Sequence, residues 1–372
     1  METMKLTEDG GPADVARPQL LLSGLDSLYL SYYLDLKKST LDFDELAYKK
    51  ERLKEARGQE LAEIELGTER FALMPYGKHP YTYVLSNEAF EIRLGENMSP
   101  SCHVQFASRF LWQCGLDDLI ARFDSWCASL KLSKKLPEVA ARADWAFDYH
   151  LPAIDFGADD FVSRFRKDSI HRENGAVQTF TLGRGDFVLR VYDKVAEIEE
   201  QSQKYWFFNL WGRRDAVWRV ELQVRRARLQ QAAIDCLNDL RSLQNDLLRE
   251  LATNHTTLRR PSSGDGNRAR WPLHPLWSAL LEDIRCLPQT GLVREIDAPS
   301  ALSMRIYHQG RALYGTLKGF AALLSGRDER DGPVSFEELV AALPLALRSH
   351  HNGVVWHADV NKRLKALRLG QW

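Results

Sequence analysis

The run Phe187-Val-Leu-Arg-Val-Tyr-Asp-Lys194 alternates apolar and polar side chains almost throughout. Successive side chains of a strand point to opposite faces. Val188, Arg190, Tyr192 and Lys194 therefore share one face, while Phe187, Leu189 and Val191 form the other. Two further runs repeat the pattern. In Ala143–Tyr149, Asp144, Ala146 and Asp148 oppose Ala143, Trp145, Phe147 and Tyr149; in Trp218–Arg225, Arg219, Glu221, Gln223 and Arg225 oppose Val220, Leu222 and Val224. As neighbours, these strands form a sheet with an apolar side for helices to cover. The other side carries three carboxylates, a tyrosine and several cations.

Working outward, strand-like alternation recurs at Leu28–Tyr33, Tyr81–Leu85, Phe90–Leu94, His103–Phe106 and Gln178–Leu182. Helical spacing fills Asp42–Gly58, Leu116–Leu130, Asp159–Arg166 and Val195–Gln203. Past residue 225 the texture is helical: Arg228–Thr253, Leu276–Ile284, Ala301–Ser325, Ser335–Ala346 and Val355–Leu369, with Pro261–Gly266 as a mobile loop. The expectation is an α+β fold. It has a curved antiparallel sheet with helices on one face, a β-rich domain over 1–226 and a helical C-terminal region over 227–372.

A faint repeat suggests two related halves, about 20–130 and 140–226. Leu25-Asp-Ser-Leu-Tyr29 parallels Ala143-Asp-Trp-Ala-Phe147, Glu88-Ala-Phe-Glu-Ile-Arg-Leu94 parallels Gly185-Asp-Phe-Val-Leu-Arg-Val191, and Cys102-His-Val-Gln-Phe106 parallels Trp218-Arg-Val-Glu-Leu222. In that alignment Asp26 stands for Asp144, Gln105 for Glu221 and Gly95 for Tyr192. The first half would then be a scaffold copy lacking the nucleophile.

The 372 residues are 44% hydrophobic and 27% charged, which excludes disordered, collagenous and coiled-coil chains. No apolar run approaches the roughly 20 residues that span a bilayer, and Met1–Gly11 lacks the apolar stretch of a secretory signal. Five cysteines, Cys102, Cys114, Cys127, Cys236 and Cys286, without a CxxC pair fit a reducing cytoplasm, each reading as a small buried apolar residue. The net charge of −1 hides an asymmetry. Residues 1–200 hold 25 Lys+Arg against 34 Asp+Glu, and residues 201–372 hold 25 against 17. A basic face for nucleic acid is compatible with such a bipolar chain. Arg213, Arg214, Arg219, Arg225, Arg226 and Arg228, with Arg259, Arg260, Arg268 and Arg270, are its candidate phosphate contacts. The aromatic run Tyr205–Trp211 reads as core, with stacking on unpaired bases as the alternative.

Oxygen ligands such as Asp144, Asp148 and Glu221 suit Mg²⁺ or Mn²⁺, and Arg190 and Lys194 flank Tyr192 where they would favour a phenolate. That pattern points to phosphoryl transfer from a DNA strand to Tyr192. A solvated sheet face with a structural tyrosine accounts for the same alternation. No His-x-His pair occurs, His350, His351 and His357 lack nearby cysteines, and Gly183-Arg-Gly185 lacks the Lys-Ser/Thr of a phosphate-binding loop.

Phe180-Thr-Leu-Gly-Arg-Gly-Asp-Phe-Val-Leu-Arg-Val-Tyr-Asp-Lys194, then Trp218-Arg-Val-Glu-Leu-Gln-Val224, with Arg142-Ala-Asp-Trp-Ala-Phe-Asp-Tyr149 upstream, resembles the trans-acting initiators of rolling-circle replication in plasmids and phages. Relaxases of some conjugative elements belong to the same family. The resemblance implies a metal-dependent, site-specific endonuclease and strand transferase. By position Tyr192 is its nucleophile, assisted by Arg190 and Lys194. Asp144 and Glu221, with Asp148 as a third, hold Mg²⁺ or Mn²⁺, while Asp193 points away. Arg184, Arg213, Arg214, Arg219, Arg225 and Arg226 are the expected DNA contacts. The expected partner is locally single-stranded or supercoiled origin DNA, with a helicase and a second copy of the chain as further candidates and no membrane. A non-catalytic DNA-binding regulator is the alternative.

Overall fold

In a computed structural model, residues 18–55, 62–202, 204–286, 298–328 and 332–368 are described. The Met1–Gly11 segment, expected to carry no secretory signal, lies outside them, as do 56–58, 203 and 369 at the ends of expected helices.

In chain order the elements are β1 (Gln19–Tyr32), α1 (Phe43–Glu55), β2 (Ala62–Leu66), β3 (Glu69–Leu73), β4 (Tyr83–Ser86), β5 (Phe90–Leu94), β6 (Cys102–Phe106), α2 (Ser108–Gln113) and α3 (Leu116–Ser129). Then come β7 (Val139–His150), β8 (Phe161–Ser163), β9 (Asp168–Glu173), β10 (Ala176–Leu182), β11 (Phe187–Asp193), α4 (Lys194–Glu197), α5 (Trp206–Trp211) and β12 (Val217–Arg225). Last are α6 (Arg226–Gln231), α7 (Leu237–Glu250), β13 (Thr256–Leu258), α8 (Pro275–Arg285), α9 (Ala298–Arg327), α10 (Phe336–Leu347) and α11 (Gly353–Arg368). An open, antiparallel, 11-stranded sheet runs β2-β3-β4-β5-β6-β1-β7-β12-β11-β10-β9, and β13 pairs β8 beside it. Among the described residues, no helix is long and apolar enough to cross a membrane.

The apolar faces predicted by alternation are where the core forms. α3 lays Leu119, Phe123 and Trp126 over the first half, with the Phe123 ring 4.6 Å from that of Tyr32. α7 and α8 cover the second half and are tied down by Trp145 donating to Gln244 (2.9 Å) and Tyr149 donating to Asp283 (2.7 Å). Helices are not confined to that side. α2 and α5 sit on the polar face, where Ser108, Trp112 and Trp211 donate to Asp26 and Asp148. The Tyr205–Trp211 aromatics divide accordingly: Phe207, Phe208 and Trp211 are buried, and Tyr205 is exposed.

The change of texture expected to separate domains at Arg226 is a change from strand to helix within one unit. Leu229, Leu237, Leu240, Leu247, Leu276 and Trp277 join the same core as the sheet, and the two compact units are 1–294 and 295–372. Burial of these leucines needs the apolar sheet face, so α6–α8 cannot stand apart. The unit from Glu295 holds α9, α10 and α11, with Ser335 and Glu338 capping the start of α10 reciprocally. Other expectations are corrected locally. The helix at Asp159–Arg166 is a short turn followed by β8. The helix at Arg228–Thr253 is broken between α6 and α7, where Ala233 takes a left-handed φ of 58°. β2, β3 and β9 were not anticipated, and Cys114 and Cys286 are exposed rather than buried.

The Gly183-Arg-Gly185 turn joins β10 to β11 with φ of 88° and 86° at its two glycines. A Cβ on Gly183 would lie 2.1 Å from the Phe165 ring, whereas one on Gly185 meets open space. Gly183→Ala is therefore expected to cost about 2–4 kcal/mol, from backbone strain plus overlap, and Gly185→Ala about 1 kcal/mol from strain alone. Urea unfolding of the two variants checks the difference.

Candidate active site

Register decides which polar side chains meet. Asp144, Ala146 and Asp148 on β7 stand opposite Gln223, Glu221 and Arg219 on β12; Glu221 and Arg219 stand in turn opposite Arg190 and Tyr192 on β11. The shared face inferred from alternation is thus formed, and its hydrogen bonds run as a chain. The Tyr192 hydroxyl donates to Glu221 Oε2 at 2.9 Å, and Arg190 Nη1 donates to Glu221 Oε1 at 2.7 Å and to Gln223 Oε1 at 3.0 Å. Gln223 Oε1 also accepts from Arg142 Nη2 at 3.0 Å, and Arg142 holds Asp144 with two groups of its guanidinium. The chain ends in an open cavity of about 280 Å³ lined by Thr179, Thr181, Arg190, Tyr192, Glu197 and Glu221, among others.

Tyr192 is 7% exposed. Burial, and then the Glu221 carboxylate, push its phenol above the ordinary range. The expected stabilisation of phenolate by Arg190 and Lys194 is absent from this geometry, because Arg190 is committed to Glu221 and Gln223. The strand ends at Asp193, whose carboxylate caps α4 by accepting from Val195 and Ala196 at 2.9 and 3.1 Å, so it faces away from the phenol's partners. Lys194 opens α4, pairs with Glu197, and lies 5.6 Å from the Tyr192 ring centroid. Burial, and then Arg219, lower its pKa. Its cation acts on the ring face rather than on the hydroxyl.

Two expected roles are overturned by burial. Arg219, read as a DNA contact, is completely buried: its guanidinium pairs with Asp148 (2.6 and 2.8 Å) and Asp26 (3.1 Å) and lies 4.6 Å from the Phe207 ring. Asp148, read as a metal ligand, spends both oxygens on Arg219 and one also on the Trp211 indole. Burial acts to raise the Asp26 carboxyl, but Arg219, Lys204, Trp112 and Lys194 together outweigh it and hold it low. Arg226 is also structural, pairing with Asp235 and donating to the Ala140 and Ile234 carbonyls. Arg213 pairs with Asp215. Arg184, Arg214 and Arg225 are exposed and remain available to a phosphate. The loop at Pro261–Gly266 is bound to its own flank, with Asp265 accepting from Arg270 and the Trp271 indole.

The acids do not form a metal centre in this arrangement. Among the described residues no three His, Cys, Asp or Glu side chains converge on a common ion position. Asp144 and Glu221, expected with Asp148 to hold Mg²⁺ or Mn²⁺, each face an arginine that occupies the lone pairs a cation would take. The donor set therefore does not fit a resident divalent ion. Sequence reading passed over Arg142 and Asp26 as functional partners. Arg142 was legible two residues from Asp144 on the same face, but Asp26 acts through a contact 193 residues away in sequence.

Asp144 is almost wholly buried, and burial raises its pKa to about 6 despite Arg142. A carboxyl raised above its ordinary value stabilises the fold most when protonated. Its contribution is complete below about pH 4 and is lost as pH rises through about 6. Relative to Asp144→Asn, the wild-type protein is expected to lose about 2 kcal/mol of unfolding free energy between about pH 4 and pH 7. Urea titrations of both proteins across that range measure it.

No protein-family profile matches the sequence, and no curated protein does. Among solved structures the chain is similar to the rolling circle replication initiator protein from Geobacillus stearothermophilus, with 20% identity and a TM-score of 0.40 over 73% of this chain and 99% of that one.

Proposed function

We propose that this chain nicks DNA through Tyr192, as a rolling-circle replication initiator or a relaxase does. The observation that carries the reading is the Tyr192–Glu221–Arg190 arrangement in an open cavity. A weak nucleophile touches a base, and the base is oriented by a third group. Glu221 takes the phenol proton as the oxygen attacks phosphorus. The bond from phosphorus to the 3′ oxygen breaks, the 5′ phosphate stays on tyrosine, and the freed 3′ oxygen takes a proton from water. The raised phenol pKa makes this proton transfer necessary, since no phenolate pre-exists. Arg190 at the cavity wall offers its remaining N–H groups to the phosphodiester. Exposed Arg184, Arg214 and Arg225 extend the contact along the strand.

The two-halves reading belongs with this proposal. β4-β5-β6-β1 and β10-β11-β12-β7 follow the same order outward-in and meet at β1–β7. The residue alignment is less favourable. Arg93 stands opposite His103, whereas its counterpart Arg190 stands opposite Glu221, the counterpart of Gln105, a slip of two residues.

The test is incubation with a randomised single-stranded library and with supercoiled plasmid, in Mg²⁺, Mn²⁺ or chelator. The expected result is a detergent-resistant protein–DNA adduct, with the nucleotide on the peptide containing Tyr192. Salt-sensitive DNA binding without any adduct would favour the non-catalytic regulator, a reading supported by the burial of the phenol.

A further inference from the structure

The polar face of the sheet does not stop at the Tyr192 cavity. On β1, Tyr29 stands opposite Arg142 of β7 and, on its other side, opposite Gln105 of β6; Ser31 stands opposite His103, which in turn faces Arg93 on β5. Cross-strand partners share a face. All of these therefore lie on the side that carries Tyr192, and hydrogen bonds from Arg142 and Arg190 to Gln223 join them to its cavity. Three rings follow one another there. His103 lies 5.9 Å from Tyr29 and 6.0 Å from Tyr81, at interplanar angles of 35° and 24°, and the Arg142 guanidinium sits 4.9 Å from the Tyr29 ring. Burial, and then Arg93, lower the His103 pKa to about 4, which leaves a neutral ring at neutral pH. α2 and α5 seal this face over Asp26 and Asp148, whereas Tyr29, Tyr81, His103, Arg93 and Arg142 are only half-buried. Glu91 holds both Arg93 and Lys78, so a positive charge is left over.

β1 then ends at a rim of lysines. Lys37 and Lys38 follow it, Lys131, Lys134 and Lys135 precede β7, and a bridge between Leu34 and Lys134 brings the two segments together. All five lysines are exposed. Asp35 takes Lys38 and Lys135, and Asp124 takes Lys134, while Lys37 and Lys131 have no ion pair among the described residues. This basic rim belongs to the part of the chain whose total charge is acidic, and summing by halves hides it.

We propose that this face and its rim are a track for single-stranded DNA leading to Tyr192, with bases against Tyr29, His103 and Tyr81 and phosphates at Arg93, Arg142 and the lysines. Aromatic rings beside cations hold unpaired bases of any sequence. A duplex keeps its base faces stacked inside and could use the lysines alone. Arg142 stands opposite Arg225 and Tyr192 opposite Arg219, so the two are separated by roughly 20 Å along the strands, a span for several nucleotides. The half of the sheet without the nucleophile is then the half that holds the strand. The inference rests on the nicking reading for where the track leads, but not for what it binds.

Fluorescence anisotropy of the full-length protein with a labelled oligothymidylate roughly eighteen nucleotides long, and with a duplex of equal length, tests the track. Tyr29→Leu and His103→Leu are each expected to weaken single-strand binding about tenfold, with duplex binding unchanged. Lys37→Gln combined with Lys135→Gln, both at exposed positions and with Lys38 left to Asp35, should lower the slope of log affinity against log salt by about 1.4. The lysine variant touches no packed side chain, so it decides the matter where a ring substitution unfolds the sheet. Single-strand affinity that survives both ring substitutions, an unchanged salt slope, or tighter binding of the duplex would overturn the inference. Ring-dependent binding without a Tyr192 adduct sinks nicking alone; an adduct in a protein whose single-strand affinity ignores these substitutions sinks the track alone.

Discussion

Phenylalanine at position 192 is expected to remove the covalent protein–DNA adduct entirely, with nicking falling at least about 10³-fold, to background. The substitution deletes one oxygen and leaves the ring in its packing. Glu221 keeps Arg190, so the expected loss of stability is about 1 kcal/mol, the net worth of one hydrogen bond. Tyr29, on the same polar face, belongs to β1, three strands away, and its ring is engaged by Arg142 at 4.9 Å. DNA affinity should persist, since the exposed arginines are untouched. Adduct formation by Tyr192→Phe at the wild-type rate would remove Tyr192 from the chemistry. Glu221→Gln should behave differently: the nucleophile remains but loses its base, so slow adduct formation at about 10²–10⁴-fold lower rate is the expected signature.

The second large effect is on folding. Arg219→Met is expected to cost about 3–5 kcal/mol, because it leaves Asp148 and Asp26 charged and enclosed without their cation. That is a large share of the stability of an ordinary domain. Such a variant should unfold at markedly lower urea and expose the α2 and α5 aromatics, which tryptophan fluorescence follows. Asp148→Leu added to Arg219→Met removes one of the two stranded charges and should recover part of the loss. A fully stable Arg219→Met protein that binds DNA weakly would restore Arg219 to the DNA surface.

These two sites also mark what was readable from sequence. Alternation placed Arg190, Tyr192, Glu221, Asp144 and Arg219 on one face, and the strands do share it. Alternation carries no information about the face's surroundings. Arg190 and Arg219 have the same period and the same charge, yet one lines an open cavity and the other is sealed beneath α5. The difference comes from Phe207 and Trp211, which could be assigned to core but not to a particular side of the sheet. The carboxylates expected to hold a metal meet arginines for a related reason. Carboxylates on one face suggest an ion until each is seen to have its own arginine: register brings Arg219 to Asp148 and Arg190 to Glu221, and Arg142 reaches Asp144 along its own strand. The domain boundary at 226 was drawn from a change of periodicity, which records a change of element and not where the apolar stripe is spent.

The pairing of β1 with β7 has a consequence for how the chain is made. Leu28 meets Ala143 across that junction, and 14 residues of β1 run beside 12 of β7. On the ribosome β1 emerges first and can pair with β6 long before its second neighbour exists. Until β7 arrives, one whole side of β1 presents unpaired N–H and C=O groups, a template for a strand from another nascent chain. Closure over so long a loop also makes this the slow contact. Refolding yield from denaturant should therefore fall steeply with protein concentration, through exchange of the second half between molecules.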